Sequence, residues 1–364
     1  MSGLVPAKNS LPESEYPATE QLIADLRGLI ESARTRVAVA ANREQTLLYW
    51  DLGQRIREDI LHEKRAPYGK QIVSTVSRQL IEDYGSGYSR QNLFRMMQTV
   101  EYFPDRAMVD KVAAVVQWSH FVEVLPLRDP LEREFYISMC HACRWSIRGL
   151  RREIAGALFT RTALSRNTDE LVRQELAALR DEDRWTPDLV LRDPYILPFL
   201  GLADTYSEKD LETAILRQLQ AFLLELGVGF TFVARQQRIV IGGKSHQIDL
   251  LFYHRKLKRL VVIELKIGPF EAAHKGQLEL YMSWLNKNER EPGEESPIGI
   301  ILCTEASQEE IELLQIGKDD IHVAEYITQN LPPALLVRKL KEAEERGRAQ
   351  LAARQQPVSE GEQE

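Results

Sequence analysis

The chain has 364 residues, 44% hydrophobic and 28% charged, which is typical of a globular protein with about two domains of roughly 150 residues each. Three cysteines are too few for a disulfide framework, so we expect a reducing, cytoplasmic location. No apolar run approaches the ~18 residues of a membrane span, and no secretory signal is expected at the N-terminus. Nucleic-acid-binding proteins are often basic overall, so the net charge of −7 counts mildly against that function.

The order of sequence patterns predicts a helical domain followed by a mixed α/β domain. From 19 onward, apolar residues recur at helical spacing without interior prolines, whereas three prolines interrupt the period between 184 and 206. Beyond this interruption the pattern changes to short β-branched and aromatic runs. The predicted segments are a flexible lead (1–18), an all-helical domain (19–183), a linker (184–206), an α/β domain (207–338), and a charged helix with a disordered tail (339–364).

A helix, a short glycine turn and a second helix are predicted between 68 and 103. The sequence GSG at 85–87 makes the turn, and Ser89 is placed to cap the second helix. This order is typical of a helix-turn-helix, in which the polar face of the second helix contacts nucleic acid. Arg90, Gln91 and Arg95 lie largely off the apolar face and are the candidate contacts. The alternative is an ordinary antiparallel helical hairpin with a solvated face, because two helices and a glycine turn are common in any α domain.

A basic segment follows in the helical block from about 130 to 159. Residues 144–166 contain six arginines against one glutamate, and such a patch attracts phosphates even when the whole chain is acidic. Arg148, Arg151 and Arg152 are the candidate nucleic-acid contacts. The sequence CHAC at 140–143 lacks a second ligand pair, so we interpret its cysteines as structural.

The C-terminal half has the element order of a mixed α/β layer structure. A capping box at Ser207 and Asp210 begins a helix that Gly227 ends. The elements that follow are strands at about 229–240, 245–254 and 259–267, a helix at 273–287, a strand in PIGIILCT, a helix near 307–315 and a strand in IHVAEY.

Two neighbouring strands carry charged residues that are expected to meet on one face of the sheet. Side chains alternate across a strand, so Glu264 and Lys266 share a face. If the hairpin turns about 256–257, Asp249 stands opposite Glu264, with the two Cβ atoms about 5 Å apart. Facing carboxylates repel each other unless a cation lies between them.

Two carboxylates on one face favour Mg²⁺ or Mn²⁺, which prefer oxygen ligands and keep several waters. Asp249 and Glu264 are the candidate ligands, and the backbone carbonyl of Leu265 is a third. Lys266 would orient or deprotonate an attacking water and stabilise negative charge on phosphorus. The alternative is a surface Glu–Lys pair on an edge strand, without a functional role.

The arrangement Asp249 … Glu264-Leu265-Lys266 resembles the core motif of the PD-(D/E)XK nucleases, which have the restriction-endonuclease-like fold. The resemblance implies roles for three more residues. Glu212 matches the acidic residue of the first core helix, and Gln277 and Tyr281 match the Gln-x-x-x-Tyr of the helix that follows the catalytic strand. Ile248 stands where the motif's name has proline, a departure that removes no ligand.

Nearly the whole chain is similar to the YhcG-type family of bacterial PDDEXK nuclease-domain proteins. The segments LYWDLGQRI, YGKQIV, WSIRGLRREI and IDLLFYHRKLKRLVVIELKIG carry the similarity. It implies a Mg²⁺-dependent nuclease domain, with a central mixed sheet flanked by helices, behind an all-α N-terminal domain that binds DNA.

Two rival functions remain open. One is a catalytically inactive DNA-binding or scaffold protein that keeps the nuclease fold, and the other is a nuclease specific for RNA or for branched junctions. A homodimer is possible, because two copies suit the cutting of both strands of a duplex.

Overall fold

The computed structural model describes residues 17–62, 66–316 and 320–329, together with Arg338 and Leu340. Apart from 17–18 and Leu340, the predicted lead and the predicted C-terminal helix and tail lie outside these residues. Contacts divide the chain into two units, Met1–Val122 and Glu123–Glu364. This division lies upstream of the predicted linker at 184–206, which stays a prediction.

The first unit is helical. The α2–α3 connection is a single helical turn at Ser86–Tyr88, and the Ser89 side chain accepts a hydrogen bond from Asn92 N, as its predicted capping role requires. The helices of this unit are α1 (Pro17–His62), α2 (Ala66–Tyr84), α3 (Arg90–Tyr102), α4 (Arg106–Ala113) and α5 (Trp118–Val124). The last helix, α5, extends two residues past the end of the unit at Val122.

The packing of α3 against α1 requires a glycine. Leu93 and Met96 of α3 are fully buried and form a core with Tyr49 of α1. A Cβ atom at Gly53 would lie 2.5 Å from the backbone carbonyl carbon of Met96, closer than any side chain allows. Leu93 and Met96 thus bury the apolar face of α3 against α1, and Arg90 lies on the exposed face.

The helical part of the second unit is more broken than the sequence pattern indicates. The block predicted from about 130 to 159 is three helices, because left-handed Arg144 ends α6 and the pair Gly156–Ala157, with Ala157 left-handed, separates α7 from α8. No glycine lies at the first break, whereas Gly156 is the residue that ends α7 at the second. The helices of this part are α6 (Pro130–Cys143), α7 (Ile147–Ala155), α8 (Leu158–Arg161), α9 (Asp169–Glu182) and α10 (Pro187–Val190). All three cysteines of the chain are free, as predicted.

The C-terminal part is a mixed six-stranded sheet flanked by helices, which confirms the predicted α/β fold class. The strand order is β1-β6-β5-β4-β3-β2; the β2–β3 and β3–β4 pairs are antiparallel and the remaining pairs parallel. The strands are β1 (Tyr195–Ile196), β2 (Phe230–Ile241), β3 (Lys244–His254), β4 (Arg259–Leu265), β5 (Ile298–Cys303) and β6 (Ile321–Ile327). The flanking helices are α11 (Glu208–Arg217), α12 (Leu219–Leu226), α13 (Ala272–Asn288) and α14 (Gln308–Leu313).

Two elements of this part differ from prediction. The helix predicted between 208 and 226 is interrupted at Gln218, so α11 and α12 are separate. The segment predicted as a linker contributes β1, whose two residues pair with β6 and are too few to leave a sequence pattern.

The sheet has an apolar core on each face. Phe222 packs with Phe252 and Ile263 on the face that α11 and α12 cover. Leu278 packs with Val262 on the face that α13 and α14 cover. Because both faces are covered, a charged side chain in the centre of the sheet is held out of water unless it lies near a strand end.

His254 contributes to this fold and is not the surface residue that its position near a turn suggests. Its side chain is buried, Nδ1 accepts a hydrogen bond from Leu257 N at 3.1 Å, and Nε2 lies 3.1 Å from the Val228 carbonyl oxygen. Burial lowers the pKa of His254 to about 4, so the ring is neutral at physiological pH. We assign it to the β3–β4 turn, away from any chemistry.

None of the described helices combines the length and the apolar character that crossing a bilayer requires.

Candidate functional site

The β3–β4 hairpin has the predicted register. Leu250 pairs with Ile263, and His254 pairs with Arg259 at the turn. One step beyond the last pair, Asp249 N lies 3.5 Å from Glu264 Oε1. The two carboxyl groups therefore lie side by side where the hairpin strands separate.

The strand backbone holds Asp249 in place. Leu265 N donates a hydrogen bond of 3.0 Å to Asp249 Oδ2, so the Leu265 main chain lies directly beside this carboxylate. Asp249 is half-buried, whereas the exposed fraction of Glu264 is only 2%. Glu264 is a charged residue within an apolar strand, and its side chain faces other polar groups rather than solvent.

Lys266 follows β4 and lies next to Glu264. The distance from Lys266 Nζ to Glu264 Oε2 is 3.6 Å, and 15% of the lysine side chain is exposed. Its backbone carbonyl accepts a hydrogen bond of 3.2 Å from the hydroxyl of Tyr326 in β6. The amine is therefore held near the carboxylates while remaining open to a molecule that approaches from solvent.

Helix α13 contributes the two residues that the family resemblance indicated. Gln277 Nε2 donates to Glu264 Oε2 at 3.2 Å and to Tyr281 Oη at 2.9 Å. The two residues lie one turn apart, so both reach the same point of the sheet. Tyr281 is buried in the core beneath α13, and it belongs to the packing as well as to the site.

Glu212 reaches the site through a residue that sequence reasoning did not select. Gln236 Nε2 donates to Glu212 Oε2 at 2.9 Å and to Asp249 Oδ1 at 3.1 Å. Glu212 comes from α11, Gln236 from the edge strand β2 and Asp249 from β3. The residues that the sequence placed in the C-terminal site are thus all brought together: Glu212, Asp249, Glu264, Leu265, Lys266, Gln277 and Tyr281.

A further acidic residue lies nearby and was also missed. Glu208 Oε1 accepts a hydrogen bond of 3.4 Å from Ile267 N, just beyond Lys266. In the sequence Glu208 follows the capping residue Ser207, so its pattern indicated the start of a helix and no more. Its proximity to Lys266 becomes visible only when α11 is placed against the end of β4.

The acidic groups of the site have raised pKa values. Burial, and then the neighbouring Asp249, raise the pKa of Glu264 to about 8. Burial also raises the pKa of Asp249, although the hydrogen bond from Leu265 N opposes it. Burial and Asp249 raise the pKa of Glu212. The hydrogen-bond donors and the lysine of the site therefore do not fully stabilise its carboxylates in the ionised form. A bound cation would supply the missing stabilisation.

The donor set suits a hard divalent cation bound by few protein ligands. Within residues 17–62, 66–316 and 320–329, no three His, Cys, Asp or Glu side chains form a complete metal cage. Mg²⁺ does not require one, because it commonly binds through one or two carboxylates and keeps several waters. Asp249 and Glu264, with the adjacent Leu265 backbone, fit this requirement.

The predicted contacts on α3 lie at the surface of the first unit. Arg90 and Gln91 are exposed, and Arg95 is half-buried. The Arg90 guanidinium lies 5.6 Å from the centre of the Phe94 ring, which holds it along the helix without neutralising its charge. Basic and aromatic groups on one helix face can contact a phosphate backbone, and the helix-turn-helix stays a prediction.

The predicted contacts on α7 differ in how freely they could bind phosphate. Arg148 is exposed and has no carboxylate partner among the described residues. Arg151 forms an ion pair with Glu123, and Arg152 forms one with Glu153 at 2.8 Å. Of the three predicted contacts, Arg148 is therefore the most available.

Comparison with known proteins finds two family models along the chain. Residues 188–341 match the family model of the YhcG PDDEXK nuclease domain, and residues 25–161 match that of the DUF1016 N-terminal domain. The chain is 32% identical over 353 residues to the Escherichia coli (strain K12) protein named "Putative nuclease YhcG", an alignment that covers 89% of this chain and 93% of that protein.

Solved structures show weaker similarity. A repair endonuclease from Pyrococcus abyssi matches 34% of this chain with a TM-score of 0.25 and 21% identity, and 49% of its own chain is covered. The structure of an EndoMS–dsDNA complex matches 36% of this chain with a TM-score of 0.27 and 21% identity, and 48% of its own chain is covered. The match therefore spans about half of each solved chain.

Proposed function

Because the chain belongs to the family of YhcG PDDEXK nuclease proteins, we propose that it hydrolyses phosphodiester bonds in DNA and that this hydrolysis depends on Mg²⁺ or Mn²⁺. The observation that carries the proposal is the convergence of Asp249, Glu264 and Lys266 at one end of the β3–β4 hairpin. Bringing these charged side chains together destabilises the fold, and such a group can carry out phosphoryl transfer chemistry.

Asp249 and Glu264 would hold the cation, together with the backbone carbonyl of Leu265. When bound there, a divalent cation lowers the pKa of water and stabilises negative charge on a phosphate. The contact of Asp249 N with Glu264 Oε1 and the hydrogen bond from Leu265 N to Asp249 Oδ2 would keep the oxygen ligands in place before substrate arrives. This preorganisation reduces the cost of reaching the transition state.

Lys266 and Gln277 would act on the attacking water and on the phosphate. The Lys266 ammonium group is a positive charge that is partly open to solvent, next to Glu264. It can stabilise the charge that builds on the phosphate oxygens or accept a proton from the water in its neutral form. Gln277 holds the second oxygen of Glu264 and so fixes the orientation of that carboxylate.

The substrate is tested with the purified full chain and a set of nucleic acids of one sequence. We expect cleavage of DNA, in duplex, branched or single-stranded form, when Mg²⁺ or Mn²⁺ is present. A chelator should stop the reaction, and excess cation should restore it. The measurement is the cleaved fraction of each labelled substrate with time.

The same assay separates the rivals. Binding of DNA without cleavage, with every divalent cation and DNA form, would favour a scaffold protein on a nuclease fold. Cleavage of RNA but not DNA would favour an RNA nuclease, and cleavage of branched DNA alone would favour a junction-specific enzyme. The oligomeric state in solution, measured by light scattering, tests the possible homodimer.

We also propose that α3 binds nucleic acid through Arg90, Gln91 and Arg95, with Arg148 of the second unit as a further phosphate contact. Arg151 and Arg152 would contribute only by exchanging their carboxylate partners for phosphate. A cytoplasmic location is proposed on the strength of the three free cysteines.

Replacing Arg90 and Arg95 together by alanine is expected to weaken the binding of duplex DNA by about tenfold at physiological salt. The slope of log Kd against log salt concentration should fall by about two, because two phosphate contacts are lost. Fluorescence anisotropy over a salt series measures both quantities. Arg36→Ala, which removes an exposed arginine from α1 of the same unit, is the matched control. Equal salt slopes for the parent and the double variant would rule out this binding surface.

A further inference from the structure

Gln236 is a residue of the edge strand whose side-chain amide lies between two carboxylates. Its Nε2 atom is 2.9 Å from Glu212 Oε2 and 3.1 Å from Asp249 Oδ1. Within the described part of the chain, the Glu212 carboxylate has no other hydrogen-bond partner. The position of Glu212 at the site therefore depends on Gln236, because α11 itself only brings the carboxylate near the sheet.

A shift in strand pairing places Gln236 at this point. The β2–β3 register changes by one residue between Phe232 and Ala234. Beyond the shift, Arg235 pairs with Leu250 and Gln237 pairs with Ile248, so Gln236 stands opposite Asp249. Without the shift it would stand opposite Ile248, and its side chain would lie on the other face of the sheet. The bulge in β2 is therefore what aligns Gln236 with the carboxylates.

The backbone of Gln236 is also unusual. Its φ of 45° lies in the left-handed region, which glycine adopts freely and which side chains other than Asn and Asp rarely adopt. Neighbouring Gln237 has the same side chain and a negative φ. Glycine would fit this backbone without strain, whereas the glutamine that stands here supplies the amide that contacts both carboxylates.

We propose that Gln236 is a positioning residue that holds Glu212 beside Asp249 and so completes the acidic site for a divalent cation. This inference rests on the proposed function, since it concerns the same site. An amide nitrogen can approach both carboxylates without adding a charge, so it draws together two groups that repel each other. When a cation binds, Glu212 is then already close enough to orient its water ligands.

The test compares cation binding and stability in four variants: Gln236→Gly, Glu212→Ala, the two combined, and Gln237→Ala as the matched control. Calorimetric titration of the purified full chain with Mn²⁺, without nucleic acid, gives the Kd. Thermal unfolding in chelator gives the Tm of the cation-free protein. Cleavage by the parent is measured separately, so that failure of the nuclease proposal is distinguishable from failure of this one.

Gln236→Gly is expected to raise the Kd for Mn²⁺ by about tenfold, as is typical when a residue that supports a metal ligand is lost. The double variant should have the same Kd as Glu212→Ala, because Gln236 acts through Glu212. The Tm of cation-free Gln236→Gly should equal or exceed that of the parent, because glycine relieves the backbone strain. Gln237→Ala should leave the Kd unchanged.

Additive losses in the double variant, or an unchanged Kd in Gln236→Gly, would overturn the inference. If Gln236→Gly fails to fold, Gln236→Asn replaces it, since asparagine tolerates the left-handed conformation but its shorter side chain cannot bridge the two carboxylates. A parent that binds Mn²⁺ and cleaves nothing would contradict the nuclease function and leave the role of Gln236 standing.

Discussion

Replacing Lys266 by alanine is expected to lower the rate of cation-dependent cleavage by about a thousandfold or more, to near background. The amine lies 3.6 Å from Glu264 and is the positive side chain of the site that is open to an approaching phosphate. Losing one such group from a preorganised site costs roughly 10² to 10⁴ in rate. Single-turnover cleavage of labelled DNA measures the loss.

The fold should survive this change. Lys266 follows the last residue of β4, so its side chain does not contribute to the apolar cores of the sheet. Lys287→Ala, which removes an exposed lysine near the end of α13, controls for the loss of a positive charge. A Lys266→Ala variant with the parent's Tm and the parent's cleavage rate would eliminate this lysine from the mechanism.

Replacing Glu264 by glutamine should stabilise the cation-free protein, by an amount that grows between pH 5 and pH 8. The carboxyl group is buried and its pKa in the folded chain is raised to about 8. In the unfolded chain the group ionises near its ordinary pKa of about 4.3. Between these values the folded state holds a proton that the unfolded state has released, so the free energy of unfolding falls as pH rises.

The loss is at most about 1.4 kcal/mol for each pH unit, and it ends as the pH passes the folded-state pKa. Glutamine does not titrate, so the variant escapes this loss. In a domain of this size each kcal/mol corresponds to about 2–4 °C in Tm. Thermal unfolding in chelator at pH 5, 6.5 and 8 measures the difference in Tm between Glu264→Gln and the parent. A difference that is constant over this range would show that Glu264 ionises normally in the folded chain. The same variant should lose cleavage, as expected when a functional group is held at a cost in stability.

The core of the site was predictable from local sequence because the β3–β4 hairpin is a local structure. Alternation along each strand assigned Asp249, Glu264 and Lys266 to one face, and the turn at 256–257 set the register. The predicted pairing needed no information from the remainder of the chain. Glu212, Gln277 and Tyr281 were identified by the resemblance to a family. They are distant from the hairpin along the chain, so local sequence does not show that they lie near it in the fold.

The parts that sequence reasoning missed depend on irregular backbone or on distant contacts. Gln236 reaches Asp249 only because a bulge shifts the register of β2. No glycine or proline stands at the bulge, so the sequence did not predict it. The end of α6 is likewise a left-handed residue, Arg144, without a glycine. β1 pairs with a strand more than 100 residues away and is two residues long, so its own sequence could not reveal it.

The account depends most on Asp249 and Glu264 binding a divalent cation together, and Mn²⁺ titration of the parent beside Asp249→Asn measures this directly. The predicted result is saturable binding in the parent that Asp249→Asn weakens by at least about tenfold, because a carboxylate ligand is lost. Identical Mn²⁺ affinities in the two proteins would contradict the account.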